Sequence, residues 1–246
     1  MPSRDAPIRL ELLGGIDLRG IDRTQADALL AQPKLTALLA FLALAPDARL
    51  QRRDRVVGLL WPELDQARAR AALRKALHAV RSALGTNALR ARGDEEIGLD
   101  PDVVGCDAAE LRSAADSGAL LRAVEIGRGE LMPGFHLAGC AEFGQWLDAE
   151  RAEMRELGAA AAWAMARRFE EDRELTDAAS MARKAARYSF DDERILRRTM
   201  TMLMRLGDRA GALALYQEFA RRMRTDLGAD PSAETTRLAD TLRTQG

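Results

Sequence analysis

A stretch with four cations and no carboxylate runs from Ala69 to Gly85, ARAALRKALHAVRSALG. Arg70, Arg74, Lys75 and Arg81 can make charge-assisted hydrogen bonds to phosphate oxygens, and arginine can also grip a guanine edge with two parallel bonds. Arg68 stands just ahead, and His78 and Ser82 add polar groups on the same outer side. A face that only meets water usually mixes signs at i±4 spacing. The excess extends beyond this stretch. From Arg49 to Arg92 eleven cations stand against three anions, Asp54, Glu63 and Asp65, a net +8 in a chain whose overall charge is -1. Local excess inside a near-neutral chain marks a directed surface, and the chemistry it suits is the binding of a polyanion.

Catalysis and metal binding have less to build on. The chain has 2 histidines, His78 and His136, and no Ser/His/Asp set or phosphate loop. His136 lies four residues from Cys140, but two ligands do not make a metal site. Gly127-Arg128-Gly129 lacks the third glycine and the preceding strand of a dinucleotide loop. The sequence therefore predicts no enzyme, no cofactor and no metal. Cys106 and Cys140 are too few for a disulfide framework, which suits a reducing compartment. No apolar run approaches the roughly 20 residues of a bilayer span. Met1–Leu10 carries Arg4, Asp5 and Arg9 and lacks a signal-peptide core. The expectation is a cytoplasmic protein with no membrane partner.

The cationic stretch needs a frame. Leu73, Leu77, Val80 and Leu84 share one side at about 100° per residue, so the segment is a helix, Asp65 to Leu84, with a buried leucine stripe. Gly85 closes it. Before it, Pro33 opens a helix that Pro46 ends, and a second helix runs from Arg52 to Trp61. Ile8–Leu12 and Ile16–Arg19 alternate as two short strands around Gly14-Gly15. After the cationic helix, Leu89–Arg92 and Glu95–Leu99 flank Gly93-Asp94 as a hairpin, and Val103-Val104 is expected to add an edge strand. Helix, turn with Trp61-Pro62, cationic helix and hairpin make the order of a winged helix-turn-helix. There the second helix enters the DNA major groove and the hairpin touches the flanking backbone.

From Asp107 on, the pattern is helical almost throughout, with one long helix from Asp148 to Glu170. Ala178, Ala182 and Ala185 are matched by Ala212, Tyr216 and Phe219 at an offset of 34, and Arg173 matches Gly207. A 34-residue period belongs to tetratricopeptide-type helix pairs. Trp61, Trp146 and Trp163 read as packing residues, as do Met200, Met202 and Met204. Glu170-Glu171-Asp172 reads as a solvated helix end. The fold class expected is mostly α, with an N-terminal winged helix-turn-helix carrying a small β-sheet and a hairpin wing. A C-terminal all-α tetratricopeptide-like domain follows, and the two domains span residues 1–105 and 106–246.

Leu59 to Gly85, LLWPELDQARARAALRKALHAVRSALG, resembles the DNA-binding half of SARP-type bacterial transcriptional activators. Cys106–Leu111, CDAAEL, and Arg128–Met154 resemble the opening of the bacterial transcriptional activator domain that follows it. Gly207–Thr235 is similar to its closing segment. The resemblance implies binding to repeated sites in double-stranded promoter DNA, recruitment of RNA polymerase and self-association as a homodimer. Carried over by position, the recognition helix is 65–84 and the wing 89–99. The DNA-binding residues expected are Arg52, Arg53, Arg68, Arg70, Arg74, Lys75, His78, Arg81, Ser82, Arg90 and Arg92.

Two features depart from the family. Gln51-Arg52-Arg53 stands where the family has a Ser-like cap, so Arg52 or Arg53 is expected to supply the phosphate contact. The wing tip, Gly93-Asp94-Glu95-Glu96, would be repelled by phosphate, so Arg90 and Arg92 are expected to face DNA instead. The absence of a nucleotide-binding segment or receiver domain after the helices predicts no control by nucleotide hydrolysis. These departures keep a second reading open, a helical-repeat adaptor whose winged helix does not bind DNA. An unbroken positive strip from Arg52 through Arg81 to Arg92 would favour DNA. Interruption by Asp54, Asp65 or Asp94 would favour the adaptor.

Overall fold

Ile8, Leu10 and Leu12 are buried while Arg9 and Glu11 stay half-exposed, so the first strand, Ile8–Glu11 (β1), turns one face to a core. Asp17–Arg19 (β2) pairs with it antiparallel, Leu10 opposite Leu18. In this computed structural model residues 6–189 and 192–244 are described. Arg4 and Asp5, part of the expected leaderless N-terminus, lie outside them. The third strand of the sheet is Val104–Cys106, parallel to β1 with Leu10 opposite Cys106. The expectation that Val103-Val104 would edge the hairpin is thereby corrected. Its alternation is too short to specify a partner, and all three of its residues are buried beside β1.

Between these strands lie four α-helices, one more than the sequence reading gave. Arg23–Leu30 (α1) was not anticipated, because only Ala26 and Leu29 of its residues are buried. Its signal is the cap, Asp22, whose side chain accepts the Gln25 N–H at 3.1 Å. Pro33–Ala43 (α2) is apolar nearly all round and fills the core. Arg53–Leu60 (α3) and Gln66–Leu84 (α4) follow, joined by the turn from Trp61 to Asp65. A second sheet holds Gln51–Arg52 (β3), Leu89–Arg92 (β4) and Glu96–Leu99 (β5), all antiparallel in the order β3-β5-β4. Val104–Cys106 is accordingly β6. Gly93 takes φ +55 at the hairpin turn, a conformation glycine adopts without strain.

Asp107–Asp116 (α5) and Leu120–Ile126 (α6) come next, then Ala141–Glu171 (α7), which begins seven residues before the expected Asp148. By compactness the chain divides within α7, into Met1–Met154 and Arg155–Gly246. Residues 106–154 are thus grouped with the segment before them, and the reason is a set of polar ties. Asp107 accepts the N–H groups of Leu12 and Leu13 at 2.8 and 3.1 Å. Glu110, itself buried, pairs with both Arg9 and Arg122. Arg112 donates to the Leu44 carbonyl and to the carboxylates of Glu150 and Glu153. Trp146 meets Phe41 edge-on at 5.1 Å between ring centroids.

The second unit contains the end of α7 and then Leu175–Tyr188 (α8), Glu193–Arg205 (α9), Arg209–Leu227 (α10) and Ala233–Thr244 (α11). The 34-residue offset recurs in its backbone. Glu174 donates to the Phe169 carbonyl, and 34 residues on Asp208 donates to the Leu203 carbonyl, each at 2.8 Å. Arg173 and Gly207 both have positive φ, +63 and +80. The same left-handed helix end therefore closes α7 and α9, once with a glycine and once with an arginine. The matched residues Ala178, Ala182, Ala185, Ala212, Tyr216 and Phe219 are all buried. Met200 and Met202 are buried too, and Trp163 lies under the Arg198 guanidinium at 4.5 Å. Glu170 is not simply solvated as expected. It pairs with Arg205 at 2.9 Å, across the turn that the repeat creates.

Candidate nucleic-acid interface

The cationic helix forms as its residues require. Asp65 caps α4 by accepting the Arg68 N–H at 2.9 Å, and Gly85 leaves the helix at φ +90. Ala69, Leu73, Ala76, Leu77, Val80 and Leu84 are buried, leaving Arg68, Arg70, Arg74, Lys75, His78 and Ser82 exposed and Arg81 half-buried. Every one of these predicted residues thus lies outside the core stripe. α3 packs beneath α4, and the β4–β5 hairpin stands beside them.

Charge pairing divides the predicted cations. Arg70 is held by Asp54 at 3.0 Å, Arg68 by Asp65 at 3.4 Å, Arg92 by Glu96 at 3.2 Å and Arg52 by Glu95 at 3.9 Å. Among the described residues no ion pair is recorded for Arg74, Lys75 or Arg81. The positive strip is therefore interrupted at both ends and open in the middle of α4. The Arg70, Arg68 and Arg52 pairs are solvent-exposed on both sides, and such pairs are weak enough to exchange partners, whereas the Glu96 oxygen that faces Arg92 is buried.

Arg90, though exposed, is tied to the backbone on two sides. Its Nη2 donates to the Ala48 carbonyl at 2.8 Å and its Nε to the Leu99 carbonyl at 3.3 Å. It ties the base of the wing to the short 3-10 turn at Pro46–Ala48. Sequence reasoning missed this because the Ala48 carbonyl lies 42 residues away, although the Leu99 carbonyl is on the paired strand of the same hairpin. It also missed Arg55, whose guanidinium lies over the Phe41 ring at 5.4 Å.

The unusual start of α3 has a structural answer. Arg52 occupies the cap position and makes no side-chain cap bond. Instead the wing tip serves, because the Glu95 carbonyl accepts the Arg53 N–H at 2.8 Å. The tip therefore holds the first turn of α3 through its backbone while its carboxylate faces Arg52. Arg53, Asp54, Arg70, Leu73, Arg74, Asp94 and Glu95 line a cleft of 290 Å³ there. The Arg53 Nε is buried and has no hydrogen-bond partner among the described residues.

The other sequence candidates stay chemically quiet. His136 lies in the loop before α7, and among the described residues no cluster of three His, Cys, Asp or Glu is placed to hold a metal. Burial pushes the Cys106 thiol up to about 12, so it stays protonated, and burial raises Cys140 as well. Both are free cysteines. No single helix among the described residues is long and apolar enough to cross a membrane.

Residues 106–243 match the bacterial transcriptional activator domain. The resembling segments Cys106–Leu111, Arg128–Met154 and Gly207–Thr235 all lie inside that match. Among solved structures, Mycobacterium tuberculosis EmbR in complex with a low affinity phosphopeptide is similar, with 18% identity and a TM-score of 0.60. The likeness covers 98% of this chain and 66% of that one, so the chain spans about two thirds of the EmbR chain. At that identity the likeness is one of fold, and it runs through both the mixed N-terminal half and the helical remainder. No curated protein sequence matches the chain.

Proposed function

The chain belongs to the bacterial transcriptional activator domain family, and from that membership we propose that it is a sequence-specific DNA-binding regulator of transcription. In this reading residues 1–105 bind promoter DNA and residues 106–246 carry the activator domain. α4 lies in the major groove with Arg74, Lys75, His78, Arg81 and Ser82 toward the duplex, and phosphates flank it at Arg53 and Arg70. The observation that carries the reading is the open centre of α4, where the exposed Arg74 and Lys75 and the half-buried Arg81 have no ion pair among the described residues, on a helix whose opposite side is buried. Arg52, Arg68 and Arg70 join the interface by exchanging their exposed carboxylate partners for phosphate, and Arg92, 80% exposed, joins it from the wing. Arg90 positions the wing and does not itself reach DNA. The protein works in the cytoplasm without catalysis, and activation proceeds through contact with RNA polymerase, with self-association on paired sites.

The test is direct. Genomic fragments bound by the full chain are mapped, and one is titrated with wild type and with an Arg74→Ala, Lys75→Ala, Arg81→Ala variant. Weaker binding by the variant is expected. Equal binding would remove α4 from the interface. The adaptor reading has one observation in its favour, the carboxylates Asp54, Asp65 and Glu95 on the strip. It predicts that no genomic fragment is retained at all.

A further inference from the structure

The second unit carries a groove that DNA binding leaves unused. Its floor is apolar, made by Ala186 of α8, Leu196 of α9 and Leu215 and Phe219 of α10, with the exposed Ala214 at its mouth. Its volume is 330 Å³. Three arginines, Arg183, Arg187 and Arg222, also line it, against a single carboxylate, Glu218.

That carboxylate is already committed. Glu218 Oε1 accepts from Arg221 Nη2 at 2.6 Å and from Arg222 Nε at 2.8 Å. Arg183 is paired with Asp208, and it sits so close over Gly211 that a Cβ there would come within 2.7 Å of its Nη2. Burial first, and then Arg187 one turn away, pushes the Lys184 ammonium down. Arg183 and Arg187, one turn apart, both line the groove from α8.

The combination restricts what can fill the groove. A bare polyanion would satisfy the arginines and leave the apolar floor wet. A purely apolar ligand would bury the floor and strip water from the Arg187 guanidinium, the one lining arginine without a carboxylate partner among the described residues, without pairing it. A peptide with apolar side chains flanked by carboxylates does both, as amphipathic segments do in helical grooves. We propose that the groove between α8, α9 and α10 is a docking site for an acidic amphipathic peptide segment of a partner protein. The site is separate from α4 and stands whether or not α4 binds DNA.

The experiment uses the full chain and a fluorescein-labelled peptide of glutamate, alanine and leucine, with leucines at i, i+4 and i+7. Fluorescence anisotropy is expected to report binding that weakens with salt. Two variants are expected to weaken it about tenfold with an unchanged circular dichroism spectrum. Arg187→Ala with Arg222→Ala removes the cations, and Ala214→Trp fills the mouth while keeping them. A peptide with lysine in place of glutamate is expected not to bind. The proposal is overturned if the acidic peptide fails to bind, if the lysine peptide binds equally, or if both variants bind as wild type does. It is also overturned if duplex DNA displaces the peptide and Arg74→Ala with Lys75→Ala abolishes its binding. That result would place the peptide on α4.

Discussion

Replacing Arg74, Lys75 and Arg81 together with alanine removes the three predicted contact cations of α4 that have no recorded ion pair among the described residues. Each phosphate neutralised on duplex DNA releases condensed counterions, and the slope of log K against log salt is about -0.9 per contact. Three lost contacts flatten that slope by about 2.7. Over a fourfold rise in salt, from roughly 50 to 200 mM, the variant's deficit relative to wild type should then shrink about 40-fold. The converse change is Asp54→Asn. Arg70 and Asp54 are 3.0 Å apart, with side chains 50% and 53% exposed, so their pair is worth at most about 1 kcal/mol. Freeing Arg70 to meet a phosphate should steepen the slope by up to about 0.9. Both are read by anisotropy of a labelled duplex carrying a mapped site, across a salt series. A triple variant with the wild-type slope, or an Asp54→Asn variant with a flatter one, would refute the assignment of phosphate contacts to this face.

Three further outcomes test other parts of the structure. Arg90→Ala should lower the melting temperature by the loss of two hydrogen bonds to carbonyls, about 1–3 kcal/mol, while leaving the salt slope of DNA binding unchanged. Asp94→Asn with Glu95→Gln should tighten DNA binding several-fold at low salt and less at high salt, because it removes like charge from the wing tip and keeps the backbone bond to Arg53. Arg112→Ala should cost about 3–5 kcal/mol in denaturant unfolding, since it leaves Glu150 buried without its cation. Burial already holds the Glu150 carboxyl above its ordinary range, and loss of Arg112 raises it further. A carboxyl whose folded pKa is raised binds its proton more tightly in the folded state, so the variant's deficit should shrink as pH falls from 7 toward 4. A deficit that grows on acidification would contradict that account.

Much of the local structure was legible because local periodicity carries it. The leucine stripe of α4, its Asp65 start and Gly85 stop and the β4–β5 hairpin follow from patterns a few residues long, and the 34-residue repeat from comparing the chain with itself. The repeat proved deeper than its alanines, since it also sets matching backbone bonds at Glu174 and Asp208. Three of the segments that resemble the activator family, Cys106–Leu111, Arg128–Met154 and Gly207–Thr235, lie within residues that the family match covers, while Leu59–Gly85 lies outside it. α1 was missed because a helix that buries two side chains leaves no stripe to read.

What the sequence determined by itself was composition by face: a cylinder with leucines on one side and cations on the other, set between strands. What only the tertiary structure decided was the employment of each charge. Arg90 and Arg74 look alike in a string of letters, yet one donates to carbonyls contributed by Ala48 and Leu99 while the other faces outward. The destination of β6 was decided the same way, beside β1 some 95 residues earlier rather than beside the adjacent hairpin. Periodicity fixes which side of an element is wet, because that depends only on neighbours along the chain. Which acceptor a guanidinium finds, or which edge a short strand joins, depends on groups that become neighbours only when distant segments meet.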